Sequence, residues 1–117
     1  MAIDAESRRA VIGNTQGGLS GAAIKPIALL KCWQVYQVAK PHRVPIIGQG
    51  GVMTADDAIE FLRAGAAAVG VGTALFYDPL VCTTINAGLR ERLAQLGLAS
   101  IAELTGSLRA PSGLTAC

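Results

Sequence analysis

Aromatic residues are scarce: two Phe, two Tyr and one Trp make up 4% of the 117 residues. A surface that binds nucleic acid by stacking interleaves aromatics with cations, and no stretch here does so. Charge is thin as well, at 15%, with ten Lys and Arg against eight Asp and Glu and a net charge of +2. No block of five like charges occurs, so no acidic or basic tail is expected. Histidine occurs once, at His42, and the three cysteines, Cys32, Cys82 and Cys117, are odd in number and widely spaced. Without a CxxC or a Cys/His cluster, neither a zinc site nor a disulfide framework is expected. No apolar run reaches the roughly 18–20 residues of a membrane span. Met1–Ala10 carries Asp4 and Glu6 where a secretory signal needs an apolar core. These absences exclude metal, nucleic acid and membrane as first expectations, and point to a cytoplasmic protein with reduced thiols.

What is present is apolar side chain, 51%, and glycine, 14 residues. Disorder needs low hydrophobicity and high charge, and collagen needs a three-residue glycine period; both are excluded. The length predicts one domain with a small core. A complete (β/α)₈ barrel needs about 250 residues, so barrel units in this chain would amount to about half of one.

Along the chain, Val11-Ile12-Gly13 is a short strand candidate and Gly17-Gly18-Leu19-Ser20-Gly21 a loop. A helix is predicted from about Ala22 to Lys40. Ile24, Ile27, Ala28, Val35, Val38 and Ala39 form its apolar face, Pro26 falls in its first turn, and Pro41 stops it. Val44–Gly48 reads as a buried parallel strand, followed by the tight turn Gln49-Gly50-Gly51-Val52. Thr54 and Asp57 form a capping box that opens a helix over Ala55–Ala64, with Gly65 just past its end. Ala66–Gly72 reads as a second buried strand. Asp78-Pro79 is placed at the N-cap and first position of another helix, with Ile85, Leu89, Leu93 and Leu96 on one face and Gly97 as its C-cap. Ser100 and Glu103 form a second capping box. From Gly106 onward no ordered element is predicted, and 110–117 are expected to be a disordered tail. Alternating helices and strands joined by glycine turns argue for an α/β fold with parallel strands.

Two glycine turns fall at strand carboxyl ends, where α/β proteins place ligands. Gly50-Gly51 follows the first strand and Gly72-Thr73 the second. Without a Cβ, main-chain N–H groups can converge on phosphate oxygens, and a following helix start adds partial positive charge. Thr73 could add a hydroxyl. Each turn alone reads first as a tight turn; together, on consecutive strand ends, they read as a phosphate site of the kind formed after barrel strands seven and eight. Other residues read first as structural. Lys25 is a solvated helix-start lysine, with phosphate neutralisation as its second reading. His42 is a surface residue, Cys32 and Cys82 are buried inert thiols, and Asp56 and Asp57 are partners of a helix dipole. Trp33 and Tyr36 are helix packing.

The residues Gly17-Gly18-Leu19-Ser20-Gly21-x-Ala23-Ile24-Lys25-Pro26-Ile27-Ala28-Leu29 resemble the signature segment of class 1 dihydroorotate dehydrogenases, closest to the 1B type. Val44–Val52, Asp57–Ala66, Val69–Ala74 and the opening Met1-Ala2-Ile3-Asp4 continue the resemblance, which covers residues 1 to about 109. It implies the last three β/α units of a (β/α)₈ TIM barrel, about strands six to eight, binding FMN and oxidising dihydroorotate to orotate in pyrimidine synthesis. It also implies a second subunit carrying FAD and an iron–sulfur cluster that passes electrons to NAD. By motif, Gly21 would contact FMN from the glycine loop, Gly50 and Gly51 would meet its phosphate region, and Gly72 and Thr73 would complete that cradle.

The sequence departs from the family in ways that bear on activity. The family's catalytic base, its flavin-contacting lysine and most substrate asparagines fall before Met1. None of the three cysteines matches the catalytic one, so no catalytic residue is assigned. Ala22 stands where Pro is usual, and Leu30–Arg43 is about three residues longer than typical. The expectation is a chain that grips the FMN phosphate, is inactive alone, and either forms homo-oligomers or requires an N-terminal half. The rival readings are a non-catalytic phosphate-binding half barrel and another FMN or sugar-phosphate barrel enzyme.

Overall fold

The computed structural model describes residues 1–109. A 3-10 turn at Ala22–Ile24 leads into helix α1, Lys25–Ala39, and a second such turn, Lys40–His42, leaves it. Strand β1, Ile47–Gln49, pairs in parallel with β2, Ala68–Gly70, with Ile47 opposite Ala68, Gly48 opposite Val69 and Gln49 opposite Gly70. Between the strands runs α2, Ala55–Ala64. After β2 come a short helix α3, Ala74–Tyr77, then α4, Val81–Leu96, and a final 3-10 turn, Ile101–Glu103.

Helix α2 is specified by its ends. The Thr54 hydroxyl accepts the Asp57 N–H while the Asp57 carboxylate accepts the Thr54 N–H, closing the predicted box. Gly65, at φ 120°, ends the helix in a backbone conformation that side chains disfavour. The buried face of α2, with Ala58, Ile59, Phe61 and Leu62, forms the centre of the core. Phe61 fills the space that Gly48 leaves open: a Cβ on Gly48 would lie 2.6 Å from Phe61 Cδ1. Helix α4 approaches α2 where Gly88 meets Ala55, adding Val81, Ile85 and Leu89 to the core.

Several expectations are corrected. Val11-Ile12-Gly13 is a turn, and beside it lies an isolated antiparallel bridge between Ile3 and Ala10. Both strands are shorter than their apolar runs. Pro45 offers no N–H to a ladder, and only three residue pairs are in register. The α1 face is rotated from the predicted one. Ile27, Val35 and Val38 are exposed, and contact with the core runs through Cys32, Ala28, Leu29 and Trp33. Asp78 does not cap α4, whose N-cap is Leu80. Its carboxylate instead accepts the Leu80 N–H, two residues on, in a local turn. Cys82 is exposed rather than buried. Gly106–Leu108 is ordered against α2: the Gly106 and Leu108 N–H groups bond to the carbonyls of Leu62 and Arg63. The proposed tail, 110–117, lies outside the described residues.

Candidate functional site: a glycine-lined cavity

The carboxyl ends of β1 and β2 open into one cavity of about 400 Å³. It brings together all five residues singled out from the sequence: Gly21, Gly50, Gly51, Gly72 and Thr73. Three of the four glycines owe their identity to backbone shape and close packing. Gly21, Gly50 and Gly51 have φ of 85°, 125° and 75°, a region only glycine enters freely. A Cβ on Gly50 would lie 2.7 Å from the Ala28 Cβ, and one on Gly51 would lie 2.9 Å from the Gly21 carbonyl oxygen. The turn is therefore pressed against the start of α1. Gly72 differs: its φ is ordinary, and among the described residues nothing lies within 4 Å of where a Cβ would stand. No described neighbour requires glycine there, and the position lines the cavity.

The donors are main-chain groups. Among the described residues, the N–H groups of Gly51, Gly72 and Thr73 make no main-chain hydrogen bond outside the helices and strands, while Gly50 stands one residue past the Gln49–Gly70 pair of the ladder. Ser20 and Thr73 add hydroxyls and Gln49 an amide, and no acidic, basic, His or Cys side chain lines the cavity. Sequence reasoning did not single out Ser20, Gln49, Met53 or Gly70, which also line it. Gln49 and Gly70 are register partners, one residue before the first glycine turn and two before the second, so strand register is the signal that could have found these two.

The helix start behind the first turn is not open to a ligand. Asp57 Oδ2 accepts the N–H groups of Met53 and Thr54 at 3.0 and 2.9 Å. Burial opposes its charge, but the Lys25 ammonium and these N–H and hydroxyl donors outweigh burial and hold the carboxyl below its ordinary 3.8. Lys25 does not reach into the cavity. Its Nζ lies 2.5 Å from Asp57 Oδ1 and 2.9 Å from Glu60 Oε2, and these two acceptors raise its pKa.

The remaining candidates stay apart from the cavity. Asp56 pairs with Arg92 on the surface, and Cys32 is a core thiol pushed up by burial. Tyr36 packs over Gly65 and Gly106, with the Lys40 ammonium 5.6 Å from its ring. Among the described residues, no group of His, Cys, Asp and Glu could hold a metal ion, and no helix is long and apolar enough to cross a membrane.

A family model described as dihydroorotate dehydrogenase matches residues 1–93. The catalytic subunit of dihydroorotate dehydrogenase B (NAD(+)) of Geotalea daltonii is 53% identical over 109 residues, covering 93% of this chain and 35% of that protein. The subunit of the same name from Phocaeicola vulgatus is 46% identical over 108 residues, 92% of this chain and 35% of that one. The solved ligand-free DHODH of Eimeria tenella superimposes with a TM-score of 0.74 at 33% identity, covering 91% of this chain and 30% of that one. The chain thus spans about a third of the length of the curated relatives it matches. Sequence and fold agree on one assignment: the chain belongs to the dihydroorotate dehydrogenase family.

Proposed function

We propose that residues 1–109 form the last β/α units of a (β/α)₈ barrel and carry its grip on the phosphate of FMN. The observation that carries this reading is that two glycine turns line one cavity, with Gly51, Gly72 and Thr73 free of main-chain hydrogen bonds outside the helices and strands, and with Gly72 unconstrained by any described neighbour. Gly50 and Gly51 hold one side of the phosphate, Gly72 and Thr73 the other, and Gly21 closes the rim from the glycine loop. Neutral donors in such a concave nest suit a phosphate. FMN, when bound, supplies the hydride acceptor for oxidation of dihydroorotate to orotate in pyrimidine synthesis.

The chain's own part is to bind and orient. Among the described residues, no acid, base, His or Cys side chain lines the cavity to move a proton. This supports a chain that does not turn over dihydroorotate by itself. The relatives' name, a catalytic subunit of an NAD(+) enzyme, supports an electron-transfer partner subunit, for which the family resemblance implies FAD and an iron–sulfur cluster. The exposed Ile47, Phe76 and Leu80, at 69%, 91% and 70%, support coverage by further barrel units or by another copy. The same cavity also accommodates the second reading, a non-catalytic phosphate-binding half barrel. Dihydroorotate-dependent bleaching of bound flavin separates the two.

The test is titration of the full chain with FMN, followed by flavin fluorescence. Binding should saturate and weaken with inorganic phosphate. Gly72→Val keeps the N–H but puts a branched side chain where a phosphate must approach it, and should cost the equivalent of one charge-assisted hydrogen bond, about 1.5–3 kcal/mol, or roughly 10–150-fold in affinity. Its unfolding midpoint should not move, because a Cβ at this position meets no described residue within 4 Å. Binding indifferent both to phosphate and to Gly72→Val would contradict the assignment.

A further inference from the structure

Lys25 stands where the glycine cradle, α1 and α2 meet. Its main-chain N lies 3.1 Å from where a Gly51 Cβ would be, and its Nζ reaches across to Asp57 and Glu60. Asp57 in turn holds the N–H groups of Met53 and Thr54, on the segment that continues directly from Gly50-Gly51. Met53 itself lines the cavity. The carboxylate therefore plugs the positive end of α2 and places a negative charge just behind a site read as holding a phosphate. Like charges repel through partly screened protein and solvent. Lys25 sits on the Asp57 carboxylate and adds a second contact to Glu60, so its ammonium offsets the acid that caps the helix.

We propose that Lys25 is a positioning and charge-shielding residue: by neutralising Asp57 beneath the Gly50-Gly51 turn, it lets the phosphate group of the flavin nucleotide approach. It is not a phosphate ligand, because its ammonium is committed to the two carboxylates. The proposal rests on the FMN-phosphate reading. It differs from a purely structural role, in which the ion pair merely ties α1 to α2. A structural tie would affect flavin binding with or without the phosphate. A charge shield acts only on the phosphate.

The experiment compares affinities of the full chain for FMN and for riboflavin, which has the same ring system but no phosphate. The native chain should prefer FMN. Lys25→Met should weaken FMN by about tenfold, the scale of one added like-charge interaction near a protein surface, and leave riboflavin unchanged. Adding Asp57→Asn should restore most of the FMN affinity, because the exposed charge is then gone. Asp57→Asn alone frees the Lys25 charge and should strengthen the preference for FMN; this variant decides the matter if Lys25→Met does not fold. Equal weakening of FMN and riboflavin by Lys25→Met, or no weakening of either, overturns the shield and leaves the phosphate reading standing. A reduced FMN preference in Asp57→Asn does the same. A native chain with no preference for FMN over riboflavin overturns the phosphate reading, and the shield with it.

Discussion

Gly51→Val should abolish FMN binding and destabilise the chain at once. Gly51 has φ 75°, and a Cβ there would lie 2.9 Å from the Gly21 carbonyl oxygen and 2.9 Å from the Lys25 Cβ. The first obstacle is main chain, so no rotamer change relieves it. A β-branched residue forced into that region is strained by about 1–3 kcal/mol. The alternative is for the turn to swing away from α1 and carry its N–H groups out of the cradle. Both the urea unfolding midpoint and FMN affinity should fall, in contrast to Gly72→Val, where only affinity falls. The pair separates two reasons for glycine in one site: at 51 the fold demands it, and at 72 the open space does. A Gly51→Val chain that keeps native affinity and stability would show that the turn is not held against α1.

Phe61→Ala should cause the largest loss of stability from a single side chain. Phe61 is 0% exposed, on the face of α2 that meets β1 at Gly48. Truncating a buried Phe typically costs about 3–5 kcal/mol through lost transfer energy and the cavity left behind. That is a large share of the roughly 5–15 kcal/mol that holds an ordinary domain folded. The cavity would open directly beneath β1, so the Gly50-Gly51 turn at its carboxyl end should loosen too. Denaturant unfolding followed by far-UV circular dichroism measures the effect. A loss below about 1 kcal/mol would mean that the core is centred elsewhere, since losses of that size are ordinary for any point substitution.

What could be read from the sequence was local. Helix α2 has the predicted bounds because its start and stop are written in neighbouring residues: Thr54 and Asp57 satisfy each other, and Gly65 takes the conformation other residues avoid. The Ser100 and Glu103 box and the Gly97 cap hold for the same reason. That Gly50, Gly51, Gly72 and Thr73 line one cavity was legible because glycine turns at the ends of consecutive parallel strands converge by topology; Gly21, which joins them there, comes from the family motif and not from a strand end.

What could not be read depends on contacts distant in sequence. The α1 helix is apolar on more than one side, so its pattern does not say which face packs; Cys32 lies inward while Val35 and Val38 lie outward. The strand lengths depend on how far two segments twenty residues apart stay in register, which neither apolar run encodes. Lys25 is read from sequence as a solvated lysine, and its partners Asp57 and Glu60 are more than thirty residues away. The helix start after Gly51 was expected to face a ligand, but the capping carboxylate already fills it. Tyr36 finds Gly65 and Gly106 only once α1, α2 and the C-terminal segment meet.

The most direct test of the phosphate grip is an amide-resolved NMR titration of the full chain with FMN. The amide signals of Gly50, Gly51, Gly72 and Thr73 should shift together, saturate at one common affinity, and reverse on addition of excess inorganic phosphate. Signals from α4 and from the carboxyl end of α1 should stay in place. Shifts confined to those helices, or no shift at millimolar FMN, would contradict the grip.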